Sequence, residues 1–391
     1  MSTAIAGQAW RTPLGGSIEA VTSRLLAGEH AIRPAPHAVP DGCRLRCAIA
    51  DGAAPSRSDR FLDRLGWLAL DAARDAMAKA GLAPRDSRLE RTALFAATGG
   101  LRPRWNEMLP ALARQRDDGR GLWERGLSRL HPFWMLQHLS NNVHAVLSIE
   151  LQIRGEGSTF AGPIAGAEAL CAAIRALDAG AVDAALVVAY DSLLDPQCVA
   201  DLANRGVATR ADLEHWHPPY DESAAGIVPG EATAALVLVR AECGHGRPLL
   251  WCAAGTDPDP VATGEPRPER LAAVAASVCR GDAIVDGVSC GRPELDLGER
   301  RALAEILPRS ARLASSAASF GRLGAAGPLV QAIAAVEFLR RRSLPPIAGL
   351  NRAPPGPLEP VSLPTRAEGT SALLLSGGAP GGAAAVRVEV R

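Results

Sequence analysis

Between residues 61 and 80, apolar side chains recur at helical spacing (Leu62, Leu65, Leu68, Leu70, Ala73, Met77), and Gly81 and Pro84 follow as stop signals. That period, closed by such residues, predicts an amphipathic helix. Shorter helices are read over 18–26 and over 165–177, the second ended by Gly180. Residues 131–151 form a mostly apolar helical stretch with Asn141 and Asn142 inside it. Apolar runs at 3–7, 92–97 and 184–189, then at 232–239 and 248–254, are too short for helices and read as strands. The rest of the chain repeats the style, with helices at 269–278, 298–307 and 329–340 and strands at 283–288, 370–375 and 385–390. Residues 33–58, rich in Pro, Gly and Ser, read as a long connection. Strands alternating with helices imply an α/β fold with largely parallel sheet. A division near residue 242 gives two halves, 1–242 and 243–391.

Composition narrows the partners. The chain has 391 residues, 47% hydrophobic and 21% charged, with zero net charge. These are values of a folded globular protein. Neutrality, and the lack of a dense basic stripe, argue against nucleic acid as the partner. No apolar run approaches the roughly 20 residues of a membrane helix, so no membrane insertion is expected. Residues 1–6 lack the charged and apolar regions of a signal peptide, and a cytoplasmic location is expected. Eight cysteines scattered along the chain fit reduced thiols better than a disulfide framework. Lys79 is the one lysine; the other basic residues are arginines, a bias of base composition.

Five segments then become recognisable. Ile5 through Gly15 reads I-A-G-Q-A-W-R-T-P-L-G, and Leu26 through Pro34 continues it. His131-Pro132-Phe133-Trp134 is followed by Asn142. Tyr220-Asp221 leads to Gly226-Ile227-Val228-Pro229-Gly230-Glu231-Ala232. Gly321-Arg322-Leu323 precedes Gly324-Ala325-Ala326-Gly327. In this order and spacing the chain resembles β-ketoacyl synthases from end to end. The resemblance implies a thiolase-like, five-layered αβαβα fold built from two similar halves. It implies no cofactor and no metal.

Such a synthase needs a cysteine thiolate at a helix N-terminus, where the helix dipole lowers the thiol pKa. Two histidines and backbone N–H groups stabilise the charge that develops as a malonyl unit loses CO2. This sequence departs from the family pattern at each point. Aligning Phe160 to Gly166 with the nucleophile motif puts Pro163 at the nucleophile position, with neither a nucleophile nor an N–H. Cys171 lies two turns further into the helix. The first histidine motif becomes Val288-Ser289-Cys290-Gly291-Arg292-Pro293, with Cys290 in the vacated place. The second histidine falls on Gly321 or Arg322, depending on a one-residue gap. The G-F-G-G stretch aligns with Arg366-Ala367-Glu368-Gly369, and Lys79 sits on an unrelated helix, so no family lysine remains. No catalytic residue is therefore expected.

The resemblance includes silent members. Chain-length factors of type II polyketide systems pair with an active ketosynthase and complete its acyl tunnel; aryl-polyene systems use similar pairs. Gly321-Arg322-Leu323 followed by Gly327-Pro328-Leu329 is similar to their loop. The expected partners are an active ketosynthase and, through it, an acyl carrier protein. Trp105, Met108, Phe133 and Trp134 are candidates for the tunnel or subunit interface, against ordinary core packing. Thr159 and Phe160 fall where family dimers pair an edge strand. Arg322 could take over a histidine's polar role or pair with Glu368, and a structural ion pair is the favoured reading.

Other readings compete. Gly287-Val288-Ser289-Cys290-Gly291 matches a G-x-S-x-G nucleophile elbow, so Ser289 or Cys290 could serve an independent acyl-transfer or hydrolytic enzyme. An elbow needs a helix directly after its serine, and Arg292-Pro293 intervenes. A scaffolding pseudoenzyme is the third reading. His215-Trp216-His217 and the pair Cys43 and Cys47 lack the further ligands that a metal needs.

Overall fold

Alternating short apolar runs and longer amphipathic stretches fold here into one continuous sheet with helices on both sides. The computed structural model describes residues 3–35, 46–52, 61–100, 130, 133–209 and 216–391. Its strands are β1 (Thr3–Arg11), β2 (Arg33–Pro34), β3 (Arg46–Cys47), β4 (Thr92–Thr98), β5 (Gly157–Ala161), β6 (Ala184–Ser192) and β7 (Glu231–Arg240). They continue with β8 (Leu249–Thr256), β9 (Ile284–Asp286), β10 (Arg312–Ala314), β11 (Ser343–Leu344), β12 (Thr365–Arg366), β13 (Ser371–Gly378) and β14 (Gly382–Glu389). The helices are α1 (Ile18–Leu26), α2 (Arg64–Lys79), α3 (Trp134–His138), α4 (Asn142–Leu151) and α5 (Ala165–Asp178). After them come α6 (Pro196–Asn204), α7 (Pro268–Ala276), α8 (Pro293–Ala304), α9 (Ala317–Phe320) and α10 (Gly327–Arg341).

Ten of the described strands form a sheet in the order β10-β9-β13-β14-β8-β1-β7-β6-β4-β5. From β5 inward the pairings run parallel, parallel, antiparallel, antiparallel to β1. From β10 inward to β8 the sequence of orientations is the same. The two five-strand sets are thus copies of one topology, joined where Thr3 and Ala4 meet Leu250 and Leu249. Their outer edges differ. Among the described residues β5 pairs only with β4, whereas β10 is covered on its far side by residues 359–361 through hydrogen bonds at Leu313.

Burial explains the layering. Strand β6 is buried on both faces and reads as a continuous apolar run. Helices α2 and α4 cover one outer face of the first set; α7 and α8 cover the second. Helices α5 and α10 lie between the sets and touch strands of both. This is the expected five-layered arrangement. Helix α10 is buried nearly all round, from Leu329 to Leu339, as a middle-layer helix must be.

Local chemistry sets the boundaries. Asp63 caps α2 by accepting from the Gly66 N–H at 2.7 Å, and Gly81 ends it with φ at 71°. The stretch read as one helix over 131–151 is two, α3 and α4, broken at 139–141, with Asn141 at the N-cap position of α4. Helix α8 begins five residues earlier than its apolar pattern indicated, because Pro293 is preset for a first helical position. Helix α6 was not apparent from periodicity; Asp195 caps it and Pro196 opens it. No helix among the described residues is long and apolar enough to cross a membrane.

Candidate functional site

Helix α5 starts at a sharp corner. Strand β5 ends at Ala161, Gly162 turns the chain with φ at 140°, and Pro163 precedes the first helical turn. Ile164 occupies the N-cap and offers no side-chain acceptor. Pro163 packs on Gly378, where an added Cβ would come within 2.5 Å of the Pro163 Cβ. The residues facing Pro163 are therefore Gly377 and Gly378, at the end of β13. Arg366-Ala367-Glu368-Gly369, aligned with the family's glycine loop, lies instead at the opposite end of that strand, where the Ala367 N–H donates to the Arg342 carbonyl. Repeated glycines at 377–378 and 381–382 were the signal that could have corrected the register.

A cavity of about 150 Å³ opens beside Pro163, walled by Arg205, Glu265, Arg322, Gly377 and Gly378. Arg322 is placed by its own loop: its N–H donates to the Val228 carbonyl at 2.8 Å, and its carbonyl accepts from the Gly230 N–H at 2.9 Å. Its guanidinium forks onto Glu265 at 3.0 and 3.1 Å and donates to the Gly377 carbonyl at 2.9 Å. The two side chains are 10% and 4% exposed. Burial pulls the Arg322 pKa down, but Glu265, Cys290, Glu299 and Asp296 outweigh it and hold the pKa above the ordinary value. The expected ion pair exists, with Glu265 and not Glu368 as partner; Glu368 is exposed. Gly321 and Arg322 both line a smaller adjoining cavity, in which Val288 is the neighbour from the first histidine motif. Cys290 lines neither cavity, and burial pushes its thiol well above the usual range.

Ser289 has the positive φ, 61°, of an elbow nucleophile, but it is fully buried. Its hydroxyl bonds to the Ser315 hydroxyl at 2.8 Å and donates to the Gly287 carbonyl at 3.2 Å. Neither partner is a base. Behind it lies a buried acidic cluster. Tyr220 donates its N–H to Asp296 at 3.0 Å and its hydroxyl to Glu299 at 2.9 Å. A Cβ at Gly287 would collide with the Tyr220 hydroxyl, so only glycine fits there. Burial first, and Glu299 nearby, push Asp296 up to about 7, against the hydrogen bond from Tyr220; burial alone pushes Asp286 up to about 6.

A pH dependence follows. A carboxyl whose folded pKa is raised keeps its proton where the unfolded chain has lost it, so its stabilisation is complete below the unfolded pKa. It is lost as pH climbs to the folded value. Stability is expected to fall between pH 3.8 and about 7 on account of Asp296. The slope is roughly 1 kcal/mol per pH unit for each such group. Asp296→Asn mimics the protonated acid. Urea denaturation at pH 5 and pH 8 should show the variant losing roughly 2–4 kcal/mol less than the parent across that interval. Parallel pH profiles would exclude Asp296 as the source.

The remaining candidates gather at the β5 side. Thr159 Oγ1 is 3.2 Å from His144 Nδ1, and the Phe160 ring lies 6.5 Å from Phe95. Phe133 packs on Phe61 with ring centroids 5.5 Å apart, and Trp134 stacks on His138 at 4.6 Å. A polar cavity of about 420 Å³ opens nearby, lined by His138, Tyr190, Asp195 and Glu231, and neither Phe133 nor Trp134 lines it. Phe61, Met135, Leu136, Leu139 and Ile149 are all exposed and apolar. Trp105, Met108, Cys43 and His215 lie outside the described residues. Lys79 sits on the outer helix layer, donating to the Gln8 carbonyl at 3.0 Å. No metal-ligating cluster occurs among the described residues.

Comparison with known proteins follows the same line. The family model of the beta-ketoacyl synthase N-terminal domain matches residues 2–243. The chain is 30% identical over 366 residues to the tetracenomycin polyketide synthase ketoacyl synthase beta subunit of Streptomyces glaucescens, covering 88% of this chain and 87% of that one. It is 33% identical over 225 residues to the actinorhodin polyketide putative beta-ketoacyl synthase 2 of Streptomyces coelicolor, covering 53% and 54% of the two. The fold superposes on the ishigamide ketosynthase/chain length factor with a TM-score of 0.82 at 19% identity, covering 100% of this chain and 99% of the other. The chain belongs to the beta-ketoacyl synthase family.

Proposed function

We propose that this protein is a catalytically silent, chain-length-factor-type subunit. It pairs with an active ketosynthase in the cytoplasm and shapes the acyl tunnel through which a polyketide or polyene chain grows. An acyl carrier protein serves the pair. The observation that carries this reading is the content of the α5 corner. Pro163 aligns with the family's thiolate position, and Arg322, one of the two residues that align with its second histidine, is clamped on Glu265. The proline also removes an N–H from any oxyanion hole. A guanidinium neutralised by a carboxylate gives little help to a developing negative charge. The beta-subunit and chain-length-factor names of the relatives support the role.

Residues 1–242 and 243–391 are proposed as the two halves of this subunit, β7 ending at Arg240 and β8 starting at Leu249. The alternative, an enzyme working through Ser289 or Cys290, meets a fully buried hydroxyl bonded to Ser315 and Gly287 at the first and a thiol held protonated at the second.

Co-expression with a Cys-His-His ketosynthase from the same gene neighbourhood tests the reading. A stable heterodimer that condenses malonyl units is the expected result; a homodimer indifferent to that partner overturns it. Within such a complex, Phe133→Ala should shift products to longer chains, read by mass spectrometry. Unchanged product length would favour the scaffold reading, since a scaffold occupies no tunnel volume.

A further inference from the structure

Two cysteines from opposite halves of the chain meet on the inner helix layer. Cys171 lies on α5 and Cys252 on β8, and these two elements pack directly. The Cys252 thiol donates to the Ala167 carbonyl at 3.3 Å. Ala167 is one helical turn before Cys171, so β8 holds its sulfur over the face of α5 that carries Cys171. The two thiols are near enough to perturb each other's ionisation. Neither residue is fully buried.

We propose that Cys171 and Cys252 form a modification site, closing to a reversible disulfide when hydrogen peroxide reaches them. The Cys171 thiolate attacks one peroxide oxygen, the O–O bond breaks, and a sulfenic acid and one water result once a proton is taken up. The Cys252 thiol then attacks that sulfur. The S–S bond forms, the S–O bond breaks, and the hydroxyl leaves as a second water with the Cys252 proton. Two thiols lose two electrons in total, and one peroxide becomes two waters. Cys171 suits the first step. The neighbouring Cys252 holds its thiol below the ordinary value against burial, and Arg175 adds to this; Cys171 and burial push Cys252 well up. A disulfide then requires rotation about the Cα–Cβ bonds to set the sulfurs roughly 2.05 Å apart. The bond ties the helix that starts at Pro163 to the sheet of the other half.

The test uses the full chain, together with any partner that co-purifies. It is treated with hydrogen peroxide, its free thiols are alkylated, and it is digested for mass spectrometry. A cross-linked pair of peptides carrying Cys171 and Cys252, lost on addition of dithiothreitol, is expected. Cys171→Ser and Cys252→Ser should each abolish it, while Cys243→Ser, at an exposed thiol on a separate turn, should leave it intact. If Cys171 and Cys252 are both recovered alkylated under conditions that oxidise Cys243, or if the cross-link joins another pair, the proposal fails. Should a serine variant not fold, the parent and Cys243→Ser still decide the question.

Discussion

Replacing Arg322 by alanine is expected to cost about 3–5 kcal/mol of folding stability, because it strands a buried carboxylate without a partner. Glu265 is 4% exposed, and the guanidinium supplies it with two hydrogen bonds. Truncation also frees the Gly377 carbonyl, the third acceptor on Arg322. The paired variant Arg322→Met with Glu265→Gln should recover most of the loss, since the penalty comes from the unpaired charge and not from the missing bridge. Urea denaturation of the two singles and the double forms the cycle that separates these contributions. Single variants within roughly 1 kcal/mol of the parent would show that the pair is far more solvated than its burial indicates. The same cycle bears on function. If the pair only fills a vacated site, the double variant should still support product formation in the complex.

Replacing Thr159 by proline is expected to weaken pairing with the ketosynthase by roughly 100-fold, equivalent to about 3 kcal/mol. Strand β5 bonds to β4 through the even positions of its run, as the Gly162 N–H to the Thr98 carbonyl and the Leu94 N–H to the Glu156 carbonyl show. In a parallel ladder the alternate residues point their N–H and C=O to the other side. Thr159 therefore turns its backbone to the side of β5 that is unpaired among the described residues, and proline deletes a donor there while sparing the β4 ladder. Thr159→Val keeps the donor and loses only the contact of its hydroxyl with His144, so it should still bind. Size-exclusion chromatography of co-expressed pairs reads the difference, with circular dichroism confirming that the proline variant is folded. Equal recovery of both heterodimers would move the interface away from this edge, toward the apolar residues Met135, Leu136 and Ile149.

Much of this was legible from local signals. The long helix after residue 61, the buried strand at β6 and the loop at Gly321 follow from spacing, stop residues and motif. What sequence could not show is which distant residues share the corner at Pro163. Arg322 and Glu265 are brought together by the crossing of two halves, and nothing in the local pattern of either names the other. The glycine loop was misplaced by one strand length because Arg366–Gly369 and Gly377–Gly378 flank the same apolar run, and only pairing with β14 decides which end meets α5. The break between α3 and α4 was hidden for a simpler reason. The run is mostly apolar and no glycine or proline marks the turn at 139–141; Ser140 and Asn141 were the cap residues that could have signalled it.

The unequal treatment of the two outer strands sets how many neighbours this molecule can take. A chain built from two copies of one topology carries two equivalent ends, and if both stayed adhesive it could add subunits at either side and grow without limit. Residues 359–361 occupy the far side of β10, and β5 has no such cover among the described residues. Among the described residues that leaves β5 as the one outer strand without such cover. A pairing through β5, as proposed for the ketosynthase partner, would close at two chains, since a three-residue strip of backbone already occupies the opposite edge. If the proposed pairing through β5 holds, removing that strip, more than any change at β5, is the change that would open a second edge to further chains.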